Sequence, residues 1–258
     1  MAVSRSKKRR IENVIETLKH DKAAIISIIF LIVVIILSLA APFLPLEPNK
    51  TDIAHMLNAP SVHHWFGTDE VGRDYLARVI YGGRISLLVG VLAMLMSVCI
   101  GVTIGTVSGY FGGIIDAILM RIVDVMQSIP WLVLVTVISI FFKQGLSSII
   151  IVIGFFSWME ISRLVRAEIM SIKEREYILY AEFSGVSRFL IIIRHLIPAV
   201  LPTIIIAATT SIANAIMTES SLSFLGIGIQ EPMSSWGKLL QSAQSNLQNA
   251  IYMAIIPG

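Results

Sequence analysis

Charge is scarce in this chain. Only 14% of its 258 residues are Asp, Glu, Lys or Arg, while 55% are hydrophobic, and the mean hydropathy is +0.81. A soluble domain of this size cannot cover that much apolar surface with so few charges, so the chain is an integral membrane protein. Strict polar/apolar alternation is also missing. The apolar runs are continuous, which points to spanning helices rather than a β-barrel. Cysteine is down to one, Cys99, which excludes an intrachain disulfide and a Cys-rich metal site. No Gly-x-x-x-x-Gly-Lys-Ser/Thr loop occurs. The chain is therefore expected to bind no ATP itself, and no catalytic, cofactor or metal site is assigned to it. The net charge of +3 would hint at nucleic acid in a soluble protein. Here it is topology information, and no nucleic-acid partner is expected.

What is present falls into a sequence of runs. Residues 1–22 begin "MAVSRSKKRR" and place Ile11, Val14, Ile15 and Leu18 at helical spacing. They read as an amphipathic segment on the inner membrane surface. Residues 23–46 are uncharged for 24 positions, longer than a cleaved signal needs, and form the first expected transmembrane helix. Residues 47–84 are polar and rich in turn residues, an expected external loop. From Ile85 to Ile115 there is no charge for 31 residues. Gly101, Gly105 and Gly109 recur there at a spacing that lets helices approach closely. "WLVLVTVISIFF" is a third span, with Pro130 kinking the helix where it starts. "LSSIIIVIGFFSWMEISRLV" is a fourth. A fifth runs from about Leu196 to Thr218. "ESSLSFLGIGIQEPMSSWGKLL" reads as an irregular return loop, and "LQNAIYMAIIPG" as the opening of a sixth span that stops part-way. The expected architecture is an all-α polytopic bundle, five spans plus the start of a sixth, with residues 85–258 as its core.

Orientation follows from Lys and Arg. Residues 1–22 hold seven of them, and residues 163–194 hold Arg163, Arg166, Lys173, Arg175, Arg188 and Arg194. Four crossings separate the two clusters, so both lie on the cytoplasmic side if either does, as the positive-inside rule requires.

"EYILYAEFSGVSRFLIIIRHLIP", residues 176–198, lies between two spans and is too charged for lipid. It reads as two short helices divided at Gly185, the second with an apolar face on the membrane. A partner gripping the first helix would move both attached spans, whereas a solvated connecting loop would carry the same charges incidentally. Elsewhere, His63 and His64 beside Asp69 and Glu70 admit either a metal site or a structured turn built on Gly67, Gly72 and Arg73. Neighbouring histidines do not easily close on one ion. Glu160 and Glu219 flank apolar spans, where acids either pair structurally or line a passage. Glu160 has Arg163 one turn on. Thr209, Thr210, Ser211 and Asn214 form a polar stripe that lines the passage or bonds neighbouring helices.

Four blocks in order carry a family resemblance: "HWFGTDEVGRDYLARVIYGGRISLLVG" (64–90), "DAILMRIVDVMQSIP" (116–130), "REYILYAEFSG" with "RHLIP", and "ESSLSFLGIGIQEPMSSWG" (219–237). Together they are similar to the second, "C"-type permease of bacterial ABC importers for dipeptides, oligopeptides or nickel, over roughly residues 20–258. Ala181, Gly185 and Pro198 fall on that family's cytoplasmic-loop motif. Leu179 and Tyr180 stand where Glu and Ala are usual there, and His195 and Ile197 where Ile and Leu are.

The resemblance implies a second homologous permease, two ATP-binding subunits that use ATP and Mg²⁺, and an extracytoplasmic substrate-binding protein, all at the bacterial inner membrane. It implies that segment 166–197 couples the spans to the ATPase, with Glu176, Tyr177, Ala181 and Gly185 at the contact. Thr209, Thr210, Asn214, Glu160 and Glu219 are candidates for the substrate passage. Peptide is the leading substrate class and a nickel or other metal chelate the alternative. A non-transporting scaffold would need none of these blocks. A secondary transporter usually shows internal repeats, and none is evident.

Overall fold

The computed structural model describes residues 21–141 and 145–258, all helix and connecting turns apart from one isolated bridge between Thr68 and Asp74. The amphipathic segment expected over residues 1–22 lies outside the described residues, save Asp21 and Lys22. Among the described residues, beside two short 3-10 turns, there are ten α-helices: α1 (Lys22–Ala40), α2 (Tyr75–Phe111), α3 (Gly113–Gln127), α4 (Trp131–Phe141), α5 (Leu146–Phe156), α6 (Trp158–Ile172), α7 (Glu176–Phe183), α8 (Arg188–Phe224), α9 (Trp236–Gln244) and α10 (Tyr252–Ile255). Four stretches are long and apolar enough to cross a membrane: Lys22–Phe43, α2, Leu146–Ile172 (α5 with α6) and α8. The bent pair α3–α4 makes a fifth if it is counted as one span.

α1 starts at Asp21, whose carboxylate accepts from the Ala24 N–H. It is apolar all round and leaves Ile26, Phe30 and Leu39 more than 60% exposed, the pattern of a helix whose other neighbour is lipid. Its buried residue is Ser38, next to Gly83 of α2, and Ala41 just past its end is buried too.

α2 begins earlier than the uncharged run. Asp74 caps it by accepting from the Ala77 N–H at 2.9 Å, so the segment read as loop to residue 84 is helical from Tyr75. At about 1.5 Å per residue its 37 residues extend about 55 Å, well beyond the hydrocarbon thickness. Its main neighbour is α6. A Cβ on Gly101 would lie 2.8 Å from Ile161 Cβ, on Gly105 2.5 Å from the Ser162 carbonyl, and on Gly109 2.9 Å from the Arg166 carbonyl. The stripe brings the two backbones together where any side chain would push them apart.

The kink expected at Pro130 is a full elbow. α3 and α4 meet at 82°. Proline disfavours helical backbone in the residue before it, so α3 stops at Gln127 and α4 restarts at Trp131.

The largest departure concerns residues 187–198. They are not a separate surface helix followed by a span. α8 runs unbroken from Arg188 to Phe224, with π-helical geometry at Ile192–Leu196. The Ile197 N–H reaches back five residues to the Ile192 carbonyl. Pro198 has no N–H to continue the ordinary pairing, and the π turn re-registers the ladder just before it. The return loop expected from residue 219 begins only after Phe224, because "ESSLSF" continues α8. α10 is a single turn.

Candidate functional site

α7 and the turn after it are built as a platform. Ile178 and Ala181, one turn apart, are buried against Ile169, Ile172 and Ile191. The helix ends in a paired cap: the Gly185 N–H donates to the Glu182 carbonyl and the Val186 N–H to the Ala181 carbonyl. Gly185 takes φ +78°, as this cap requires. Lys173 Nζ donates to the Gly109 carbonyl at 2.8 Å, and Tyr110 Oη to Glu182 Oε1 at 3.4 Å. Asp116 is held by both nitrogens of the Arg166 fork and by Ser108. The base of α7 is thus tied to α2 and α6, which Asp116 of α3 joins to each other.

The opposite face of α7 is exposed and aromatic. Tyr177 is 46% exposed, Tyr180 76% and Phe183 90%, and Phe189 early in α8 is 72% exposed. Glu176 is exposed in the first turn. Ala181 therefore does not face outward, as a contact residue would. Its side chain packs where α7 meets its own core. Sequence reading named Tyr180 only as a departure from the loop motif and left out Phe183, although Tyr177, Tyr180 and Phe183 recur every third residue and mark one face.

A cavity of about 1030 Å³ opens between the α3–α4 elbow, the α5–α6 break at Ser157, and α8. Glu160, Thr210 and Asn214 line it; Thr209 and Glu219 do not. Thr210 returns its hydroxyl to the Ile206 carbonyl, as Thr209 does to Ile205. The neighbour expected for Glu160 is engaged elsewhere. Arg163 binds Asp124 of α3 at 2.5 Å.

Glu219 is fully buried in a cage of serines. Ser223 and Ser235 donate to Oε1 at 2.6 and 2.7 Å, and Ser86 to Oε2 at 3.3 Å. Each serine oxygen in turn accepts a backbone N–H, from Ile229, Lys238 and Trp236 respectively. With those oxygens occupied as acceptors, all three hydroxyl protons point at the carboxylate. The cage joins α2, α8 and the start of α9. It is structural pairing, and it removes Glu219 from the cavity wall.

At the far end of α2 the loop before it is closed by charge. Asp69 accepts from Val71, from the Arg73 backbone and from Arg73 Nε. Arg73 and the fully buried Arg78 both donate to Glu231, at 2.9 and 3.0 Å. Burial pushes the Glu231 carboxyl up, but Arg78 and Arg73 outweigh it and hold the group below its usual range. His64 Nδ1 is hydrogen bonded to Asp74, and Gly67 and Gly72 take positive φ. These residues form the structured turn. Among the described residues no three His, Cys, Asp or Glu side chains could hold a metal ion.

The sequence profile of the family described as binding-protein-dependent transport system inner membrane component matches residues 101–257. That of the N-terminal TM domain of oligopeptide transport permease C matches residues 11–60. The chain is 41% identical to the oligopeptide transport system permease protein OppC of Haemophilus influenzae, over 92% of this chain and 78% of that protein. It is 38% identical to OppC of Escherichia coli K12, over 92% and 80%. It is also 41% identical to the dipeptide transport system permease protein DppC of Bacillus subtilis, over 85% and 69%. An all-helical chain with several membrane-crossing helices, matched along its length in this way, belongs to the inner membrane component family of binding-protein-dependent transport systems, as an ABC importer permease of the C type.

Proposed function

We propose that this permease forms one half of a passage for dipeptides and oligopeptides and takes up the work of ATP hydrolysis through α7. The relatives are named for oligopeptide and dipeptide transport, which favours peptide over the metal-chelate alternative. The other half of the passage comes from a second homologous permease. Two ATP-binding subunits, which use ATP and Mg²⁺, sit on the cytoplasmic side with residues 1–22 and 163–194, and an extracytoplasmic binding protein delivers substrate to the side carrying residues 47–74.

The observation that carries the coupling reading is the exposed aromatic face of α7 on a buried, tied-down base. An apolar face of this kind fits a groove on a partner. α7 hangs between α6 and α8, and both line the cavity. Displacing α7 therefore moves two walls of the passage together, a rigid-body change of the kind that alternates access.

The test separates the two faces of α7. Tyr180→Ala with Phe183→Ala is expected to leave the membrane level unchanged, lose co-purification of the ATPase and lose peptide uptake. Ala181→Asp is expected to lower the membrane level itself, because an unpaired buried charge costs several kcal/mol. Retention of the ATPase by the double alanine variant would remove α7 from the coupling role. In the same cells, single cysteines at Asn58 and Ser171 in a Cys99→Ser background report orientation. An impermeant thiol reagent should reach position 58 and not 171, and the reverse pattern would invert the topology.

A further inference from the structure

Among the described residues, the cavity wall carries one charge with no counter-charge. Arg163 on its wall is neutralised by Asp124. Glu160, three residues earlier on α6, has neither a cation nor a hydrogen-bond donor among the described residues. It stands in the first turn of α6, where the partial positive charge of the helix amino end supports a carboxylate without a cation.

The rest of the wall is undemanding. Met126, Met159 and Met217 line it with flexible, polarisable side chains that adapt to differently shaped groups. Gln127 and Asn214 also line it, and neither amide is hydrogen bonded among the described residues. An amide offers both donors and an acceptor. Peptides of unrelated sequence share only backbone amides and terminal charges. Free amides suit the first, methionines tolerate the varying side chains, and one unpaired carboxylate suits the terminal ammonium.

We propose that Glu160 is the specificity-determining contact of the passage, receiving the free amino-terminal ammonium of a peptide in transit. The proposal rests on reading the cavity as the peptide passage. An anionic chelate would be repelled by the same wall.

The experiment uses the assembled transporter without its binding protein, with Thr210→Cys as reporter in a Cys99→Ser background. Modification of this cysteine by a thiol reagent should block uptake once the binding protein is restored. A tripeptide with a free amino terminus should protect the cysteine at lower concentration than its N-acetylated form. Glu160→Gln should raise the protecting concentration of the free tripeptide about fivefold, the scale of a partly solvated ion pair, and leave that of the acetylated one unchanged. If modification leaves uptake intact and neither peptide protects, the cavity is not the passage and both readings fall. If modification blocks uptake but Glu160→Gln shifts both peptides alike or neither, the passage stands and the ammonium contact is overturned. Loss of the second permease from the Glu160→Gln complex would also overturn it, by making Glu160 an interface residue.

Discussion

Gly185 holds φ +78°, and a Cβ built there meets nothing within 4 Å. The position is closed to most residues by backbone conformation alone, not by crowding. A left-handed conformation costs an ordinary residue roughly 1–2 kcal/mol and asparagine less. Gly185→Val is therefore expected to weaken ATPase co-purification and uptake, while Gly185→Asn retains both. Equal loss in the two variants would mean that the turn does not act through φ. The turn was legible in the sequence, since a glycine after a run of helix formers marks a helix end. Which way Ala181 faces was not, because a motif gives positions and the side that meets the core is set by α6 and α8. The partner of Arg163 was hidden for a similar reason. Spacing proposed Glu160, one turn away, but the fold brings up Asp124 from 39 residues earlier.

Among the elements, α8 depends most on contacts that no local pattern announces. Apolar runs located the spans, Pro130 the elbow and the glycine stripe the seam with α6. The continuation of α8 through two prolines and past Glu219 was not legible. It relies on a π turn and on serines supplied by α2 and the start of α9. The serine cage makes a specific demand. Its hydroxyl protons all point inward, so an acceptor on both sides is required. Glu219→Gln would aim an amide N–H₂ at a hydroxyl proton and leave a donor unsatisfied, at a cost of about 1–3 kcal/mol. A lower unfolding temperature of the purified permease in detergent is expected, with further loss in Ser235→Ala/Glu219→Gln smaller than the sum of the two single effects. Wild-type stability in Glu219→Gln would show that the cage is not polarised as described.

Across the whole molecule, the two ends are closed differently. The end carrying α7 is fastened by Asp116 and Arg166, while the other is capped by packing of Tyr75, Leu239 and Met253 and by the charges around Glu231. Tyr75 Oη reaches the Met253 carbonyl at 2.7 Å, and Tyr252 Oη the Asn58 and Thr68 carbonyls. The Glu231 carboxyl is held below its unfolded value. Its contribution is thus present in full above the unfolded pKa, about 4.3, and is lost as pH falls through the folded value. Thermal unfolding of the wild type should lose stability as pH falls through that lower range. Glu231→Gln should be less stable at neutral pH and show a shallower acid decline. An unchanged acid decline would assign the effect to other carboxylates.

The length of α2 has a geometric consequence. It reaches from the cap at Tyr75 to the base of α7 at Tyr110, and a rod of about 55 Å turned by about 5° at one end sweeps the other through about 5 Å. That is high gearing: a small angular change shifts the far end by the width of a side chain. Asp74 and Arg78 fasten the cap to this rod, so the cap travels as its passenger. The gearing also runs backwards. In the coupling proposed above, a load placed on the cap would reach α7 as torque, reduced in travel and increased in force.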